Sequence, residues 1–191
     1  MTDVEFKGVI VPAITPFTPD EEVDVPSLRR HVDYLVSSGV HGIWAAGTTG
    51  EFAALSDEQR LLVIETVLDE VAGRVPVIAN VSAPATRGTV ALAMHLQESG
   101  LDGIAATPPY YYPCAQDEMV AHFDHIASRS GLPLWVYNIP VTVKTAVAPA
   151  TIARLSGDGA VVGVKDSSGA GELLAELNFL CEAGGLTLWR F

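Results

Sequence analysis

Lysine is scarce in this chain. Of 11 basic residues, eight are arginine, leaving Lys7, Lys144 and Lys165. Any chemistry that needs an amine nucleophile therefore has three candidates. Cysteine is rarer still. Cys114 and Cys181 are the only two, in no metal-ligand or redox spacing, which excludes a disulfide framework and fits free thiols in a reducing compartment. No apolar run reaches the roughly 18–20 residues of a membrane span, and the start MTDVEFKGV lacks the basic-then-apolar pattern of a signal peptide. The expectation is a cytoplasmic protein without membrane contact. Positive charge is also short, with 11 Lys+Arg against 23 Asp+Glu and a net charge of −12. An acidic surface repels phosphate backbones, which argues against a nucleic-acid partner. The dinucleotide fingerprint Gly-x-Gly-x-x-Gly is missing too, because the first strand-like run passes directly into Thr15-Pro16-Phe17.

What is present is apolar and repetitive. The 191 residues are 49% hydrophobic and 18% charged, which excludes disorder and supports one substantial core. Aliphatic and aromatic residues are spread throughout, so the chain reads as one domain over residues 1–191. A small residue plus Gly recurs at Ser38-Gly39, Ala72-Gly73, Ser99-Gly100, Ser130-Gly131, Ser156-Gly157 and Ala183-Gly184. Each pair is expected to close a helix, with Gly in the left-handed conformation. After each comes a short apolar run: GIWAA, PVIAN, GIAAT, PLWVYN, VVGVK and LTLWRF, with GVIVPAI ahead of them all. Such runs are expected of strands buried on both faces.

The segments between carry helical periodicity. Leu61, Ile64, Leu68 and Val71 form one stripe, opened by a capping box at Ser56-x-x-Gln59. Leu28, Val32 and Leu35 form another, as do Met119, Phe123 and Ile126, and Leu173, Leu177 and Leu180. Six strand–helix units plus a seventh strand predict an α/β fold of the (β/α)8 TIM-barrel type, left incomplete. Eight such units need on the order of 240–250 residues, so the expectation is a partial barrel whose last strands and helices are missing, an N-terminal piece of a longer enzyme.

In a barrel, chemistry collects where strands end. After the second strand comes Gly47-Thr48-Thr49-Gly50-Glu51, a tight turn whose hydroxyls and backbone N–H groups suit a carboxylate or phosphate; an ordinary βα turn is the plainer alternative. After the fourth comes Pro108-Pro109-Tyr110-Tyr111-Tyr112, a stiff aromatic loop fit for a pocket wall, a subunit contact or local packing. The fifth ends in Tyr137-Asn138-Ile139-Pro140, where a tyrosine either shuttles protons or fills the core rim. The sixth ends in Val164-Lys165-Asp166. A lysine carried into an apolar strand is desolvated, which enlarges its neutral, nucleophilic fraction, as imine formation requires; a snorkelling lysine paired with Asp166 is the alternative. Lys7 and Lys144 read as solvated charges. His122 and His125 read as a helical surface pair, and no cluster supports a metal.

Taken in order, Pro12–Phe17, Gly47–Glu51, the Pro-Tyr-Tyr loop, Tyr137–Pro140 and Gly163–Asp166 resemble the dihydrodipicolinate synthase / N-acetylneuraminate lyase family of class I aldolases. The resemblance implies that Lys165 forms a Schiff base with pyruvate or a related 2-oxo acid, and that Tyr137 shuttles protons. It further implies that Thr48 and Thr49 hold the substrate carboxylate, with Thr48 and Tyr111 in a proton relay that spans subunits of a homotetramer. No metal or organic cofactor is implied; the partners are a 2-oxo acid and an aldehyde. One position departs from the pattern. Thr142 stands where synthases that make dihydrodipicolinate carry an arginine to grip the second substrate, and a hydroxyl does not replace a bidentate guanidinium, even with Lys144 nearby. That favours aldol cleavage, condensation or dehydration of a sugar-derived 2-oxo acid. The alternatives are the 4-hydroxy-tetrahydrodipicolinate synthase reaction of lysine biosynthesis and an inactive fragment.

Overall fold

The computed structural model describes residues 6–190, which divide into two compact units. The leader residues 1–5 and Phe191, the last residue of the LTLWRF run, lie outside the described residues.

The first unit runs to Asn80 and includes Leu96–Gly103. Strands β1 (Ile10–Pro12), β2 (Gly42–Ala45) and β3 (Val77–Asn80) alternate with helices α1 (Val25–Ser37) and α2 (Asp57–Val71). β2 pairs in parallel with both neighbours, Ile10 opposite Gly42 and Ile43 opposite Val77. Every residue of β2 and β3 is buried, which is why the sequence there is continuously apolar rather than alternating. α1 starts at Asp24, whose carboxylate accepts from the Ser27 amide at 3.0 Å, with Pro26 in the first turn where its missing N–H costs nothing. α2 opens on the expected capping box: Ser56 Oγ accepts from the Gln59 amide at 3.2 Å, and Gln59 Oε1 accepts from the Ser56 amide at 3.1 Å.

The buried face of α2 differs from the predicted stripe. Val63, Ile64, Val67 and Val71 are buried, Leu61 and Leu68 only half-buried, and Leu62 faces solvent. That face begins with Arg60, whose aliphatic stem is buried while its guanidinium donates to the Asn80 carbonyl at 3.1 Å. An arginine scores as polar in a periodicity argument, so the stripe was drawn through the leucines beside it.

The second unit comprises Val81–His95 and the chain from Ile104 onward. It holds α3 (Thr86–His95), β4 (Gly103–Ala106), α4 (Gln116–Ser130), β5 (Leu134–Asn138), α5 (Pro140–Val143), α6 (Pro149–Gly157), β6 (Gly163–Asp166), α7 (Gly171–Gly184) and β7 (Trp189–Arg190). β4, β5, β6 and β7 pair in parallel in that order, and α3 packs on α4, α4 on α6, and α6 on α7. Met119, Phe123 and Ile126 form the core face of α4 as expected. On α7 the deepest residues are Leu177 and Cys181, with Leu173 and Leu180 half-buried. β7 is shorter than the run LTLWRF suggests, since among the described residues only Trp189 and Arg190 are in strand conformation. Helix closure also shifts at two of the six dipeptides. Gly157 and Gly184 remain helical, and the positive φ falls at Gly159 (+76°) and Gly185 (+64°), because a later glycine is available to take it.

Among the described residues seven strands alternate with helices, the element order of an incomplete (β/α)8 barrel fold. Among the described residues no helix is long and apolar enough to cross a membrane.

One close approach shapes the second unit. Gly163 pairs with Trp135 across β5 and β6, and a Cβ at Gly163 would collide with Trp135 Nε1. The glycine is what lets a fully buried indole cross to the neighbouring strand. Gly163→Ala is expected to destabilise by about 3 kcal/mol, the upper end of core overpacking. Gly39→Ala, with open space but a φ of +83°, is expected to cost about 1 kcal/mol. Equilibrium urea unfolding of both variants checks the order.

Candidate active site

The register of β5 against β6 puts Tyr137 opposite Lys165 and Asn138 opposite Asp166, at the C-terminal ends of both strands. Lys165 Nζ lies 4.4 Å from the centroid of the Tyr137 ring, close enough for a cation–π attraction when the amine is charged. It also donates to Ser167 Oγ at 2.7 Å. Ser167 lies two residues on, just past the end of β6, and its hydroxyl meets the lysine amine. Nothing in the sequence marks it out as a partner of Lys165, since the spacing Lys-x-Ser is too common to single out.

Asp166 is engaged on its own side. Its Oδ1 accepts from Asn138 Nδ2 at 2.7 Å and from the Ser168 amide at 3.3 Å, and its Oδ2 accepts from the Ser168 hydroxyl at 2.8 Å. Asn138, fully buried, accepts from the Val147 amide at 3.0 Å through its Oδ1. Asn138 is therefore a brace that ties the segment after α5 and the exit of β6 to β5. Lys165 is half-buried, and desolvation holds its pKa below the ordinary lysine value of 10.5, with the Asp166 charge pulling the other way.

Thr48 and Thr49 belong to the first unit, on the loop after β2, and both are exposed. The loop is built tightly. Ala46 and Glu51 have positive φ (49° and 57°), and a Cβ at Gly47 would meet the Trp44 ring at 2.7 Å. The Gly50 amide donates to the Gly47 carbonyl at 3.1 Å, Glu51 to Thr48 at 3.0 Å and Phe52 to Gly47 at 3.3 Å. The Gly50, Glu51 and Phe52 amides thus close the turn, with Thr48 and Thr49 at its exposed tip. Beneath the loop, Thr15 Oγ1 donates to the Gly50 carbonyl at 2.7 Å, and buried Asn80 donates to the Ala46 carbonyl at 3.0 Å.

Tyr111 sits on the loop between β4 and α4, 80% exposed with φ at 86°. Holding a tyrosine in that region costs of order 1–3 kcal/mol, a strain typical of functional segments. Tyr112 is exposed as well and meets Tyr111 edge-on at 4.9 Å. Thr142 is exposed and donates to the Ile139 carbonyl at 3.1 Å. Lys144 caps α5 in the left-handed conformation with its ammonium 3.4 Å from the Val141 carbonyl.

The reading of His122 and His125 as a surface pair needs correction. His125 is exposed, but His122 is 3% exposed and hydrogen-bonded at both ring nitrogens, 2.8 Å from Thr86 Oγ1 and 3.1 Å from the Thr107 carbonyl. Polar partners at the start of α3 and just past the end of β4 admit it to the core, and no periodicity argument sees those.

With this geometry established, the comparisons place the chain. The model of the dihydrodipicolinate synthetase family matches residues 5–189. An uncharacterized DapA-like lyase of Halobacterium salinarum is 41% identical over 84% of this chain and 53% of its own length. A 4-hydroxy-tetrahydrodipicolinate synthase of Methylococcus capsulatus is 38% identical over 93% of this chain and 61% of its own. Among solved structures, YagE, a prophage protein of the dihydrodipicolinic acid synthase family from E. coli K12 in complex with pyruvate, superposes with a TM-score of 0.91 and 29% identity, covering 97% of this chain and 63% of that one. The chain belongs to the dihydrodipicolinate synthetase family. It spans 53–61% of the length of these two curated relatives.

The depressed lysine makes a prediction with a definite sign. In the interval between the lowered pKa and 10.5, the unfolded chain holds more protons at this residue than the folded one, so its contribution to stability rises as pH climbs through that interval. Amine labelling with trinitrobenzenesulfonate, mapped by mass spectrometry, is expected to reach half its maximal rate at Lys165 below pH 10.5. A midpoint at or above that value contradicts the desolvated placement.

Proposed function

We propose that this chain is a class I lyase that forms a Schiff base between Lys165 and a 2-oxo acid such as pyruvate. The observation that carries the reading is the half-buried Lys165 amine at the end of β6, 4.4 Å from the Tyr137 ring, its pKa lowered by desolvation. Membership in the family and the pyruvate bound in a relative of the same fold support it.

The neutral amine adds to the ketone carbon, and the resulting carbinolamine loses water to give a protonated imine. That cation accepts the electron pair released when the bond beyond the adjacent carbon breaks, or when a proton leaves that carbon, and an enamine results. Addition of an aldehyde to the enamine runs the same steps in reverse, and water then frees the product and the lysine. Tyr137 is assigned the proton transfers at this centre. On their sequence motifs, Thr48 and Thr49 are assigned the substrate carboxylate, and Thr48 and Tyr111 the proton relay. We extend the reading to a single barrel domain, a homotetramer and a cytoplasmic setting.

The identity of Thr142 bears on the substrate. A hydroxyl donating to the Ile139 carbonyl offers a second carboxylate no bidentate grip. A sugar-derived 2-oxo acid therefore suits this chain better than the synthase reaction of its relative from Methylococcus capsulatus.

Borohydride reduction in the presence of pyruvate tests the proposal. The expected result is a reduced adduct on Lys165, absent from Lys7 and Lys144 and lost in Lys165→Ala. Tyr137→Phe should slow turnover by about 10²–10⁴-fold, the usual range for losing a proton-transfer group. A folded chain that yields no adduct contradicts the reading.

A further inference from the structure

β4 leaves its sheet at Thr107 and enters the Pro108–Tyr112 loop at once, so the direction of that loop is decided at Thr107. A set of buried hydrogen bonds converges there. His122 Nε2 lies 3.1 Å from the Thr107 carbonyl, and a carbonyl only accepts, so Nε2 carries the hydrogen. Burial depresses the His122 pKa to about 4, and the neutral ring then presents Nδ1 as an acceptor to the Thr86 hydroxyl at 2.8 Å. The Thr107 amide donates to Ser82 Oγ at 2.8 Å, and its hydroxyl donates to the Pro108 carbonyl at 2.9 Å. Both backbone groups and the side chain of one residue are thus held. Pro108 and Pro109 follow, and their locked φ angles carry the orientation of Thr107 stiffly toward Tyr110 and Tyr111.

Pro108 is buried and Pro109 and Tyr110 half-buried, while Tyr111 and Tyr112 at the tip are exposed. An open groove of about 360 Å³ lies between the loop and the start of α3, lined by Pro84, Thr86, Tyr110, Tyr112 and Glu118 among others. Tyr111 remains 80% exposed at a φ of 86°. An exposed tip takes its placement from the residues that lead into it, and these start at the hydrogen-bonded base.

We propose that His122 is a positioning residue: by bridging Thr86 on α3 to the Thr107 carbonyl it fixes the exit of β4, and through two prolines it fixes where Tyr111 is presented. The consequence for turnover rests on the assignment of Tyr111 to the proton relay. His122 itself, 3% exposed with both nitrogens engaged, acts only through these neighbours.

The test uses His122→Phe, which keeps a planar ring but neither hydrogen bond, and His122→Gln, whose amide can still donate to Thr107. Chymotrypsin cleavage of the native protein after Tyr110 or Tyr111 reads the loop without reference to activity. Cleavage tenfold or more faster in His122→Phe, returning to within about threefold of wild type in His122→Gln, is the expected result. With pyruvate and a competent aldehyde, His122→Phe should lose at least tenfold in kcat while KM for pyruvate stays within about twofold and the borohydride-trapped adduct persists. Unchanged cleavage in a folded His122→Phe overturns the proposal, as does equal acceleration in both variants, since the residue then only fills space. If His122→Phe does not fold, Thr86→Val, which removes the hydroxyl and keeps its shape, decides by the same two readouts. If wild type forms no adduct, the functional reading fails, and the cleavage arm still decides the positioning role.

Discussion

The chemistry open to this chain depends on the register of β5 against β6. Parallel pairing sets Tyr137 opposite Lys165, and Ser167, just past the strand, accepts from the lysine amine. A slip of β6 by one residue would turn Lys165 to the face away from Tyr137. That register is held by interactions of two kinds. Trp135 crosses to Gly163, where a Cβ would collide with the indole, and Asn138 donates to Asp166 at the strand exits. One is steric and the other polar, and they act at opposite ends of the paired segment.

The same device recurs at other strand exits. Asn138 ties β5 to β6, His122 holds the end of β4, and in the first unit Asn80 and Thr15 support the loop after β2. Each is a buried polar side chain satisfied by a backbone or carboxylate partner, so it adds geometric definition without the penalty of an orphaned group. Strand interiors are apolar and are fixed by packing, as where Trp135 meets Gly163. Their ends are where a residue substitution would be felt in the position of a loop.

Much of this was legible in the sequence. The glycine-closed repeat gave the alternation of strand and helix, the Ser56–Gln59 capping box gave the start of α2, and the oddity of a lysine after Val161–Val164 pointed to β6. These signals are local, governed by backbone conformation and the cost of burying charge. What escaped depends on partners distant in sequence. His122 is core rather than surface because Thr86 and Thr107 receive it. The packed face of α2 starts at Arg60 because the Asn80 carbonyl accepts from its guanidinium. In the turn at Gly47–Glu51 the Gly50 and Glu51 amides close back on Gly47 and Thr48, which no count of glycines foretells. Closure after α6 fell on Gly159 instead of Gly157 because either glycine satisfies the local rule.

The central claim is that register and desolvation together make Lys165 the electrophile-seeking amine. A crystal structure of the chain soaked with pyruvate tests it most directly. The account predicts continuous electron density from Lys165 Nζ to the ketone carbon, with the Tyr137 ring beside the new bond. Pyruvate bound elsewhere, or a lysine left unmodified at saturating pyruvate, would contradict it.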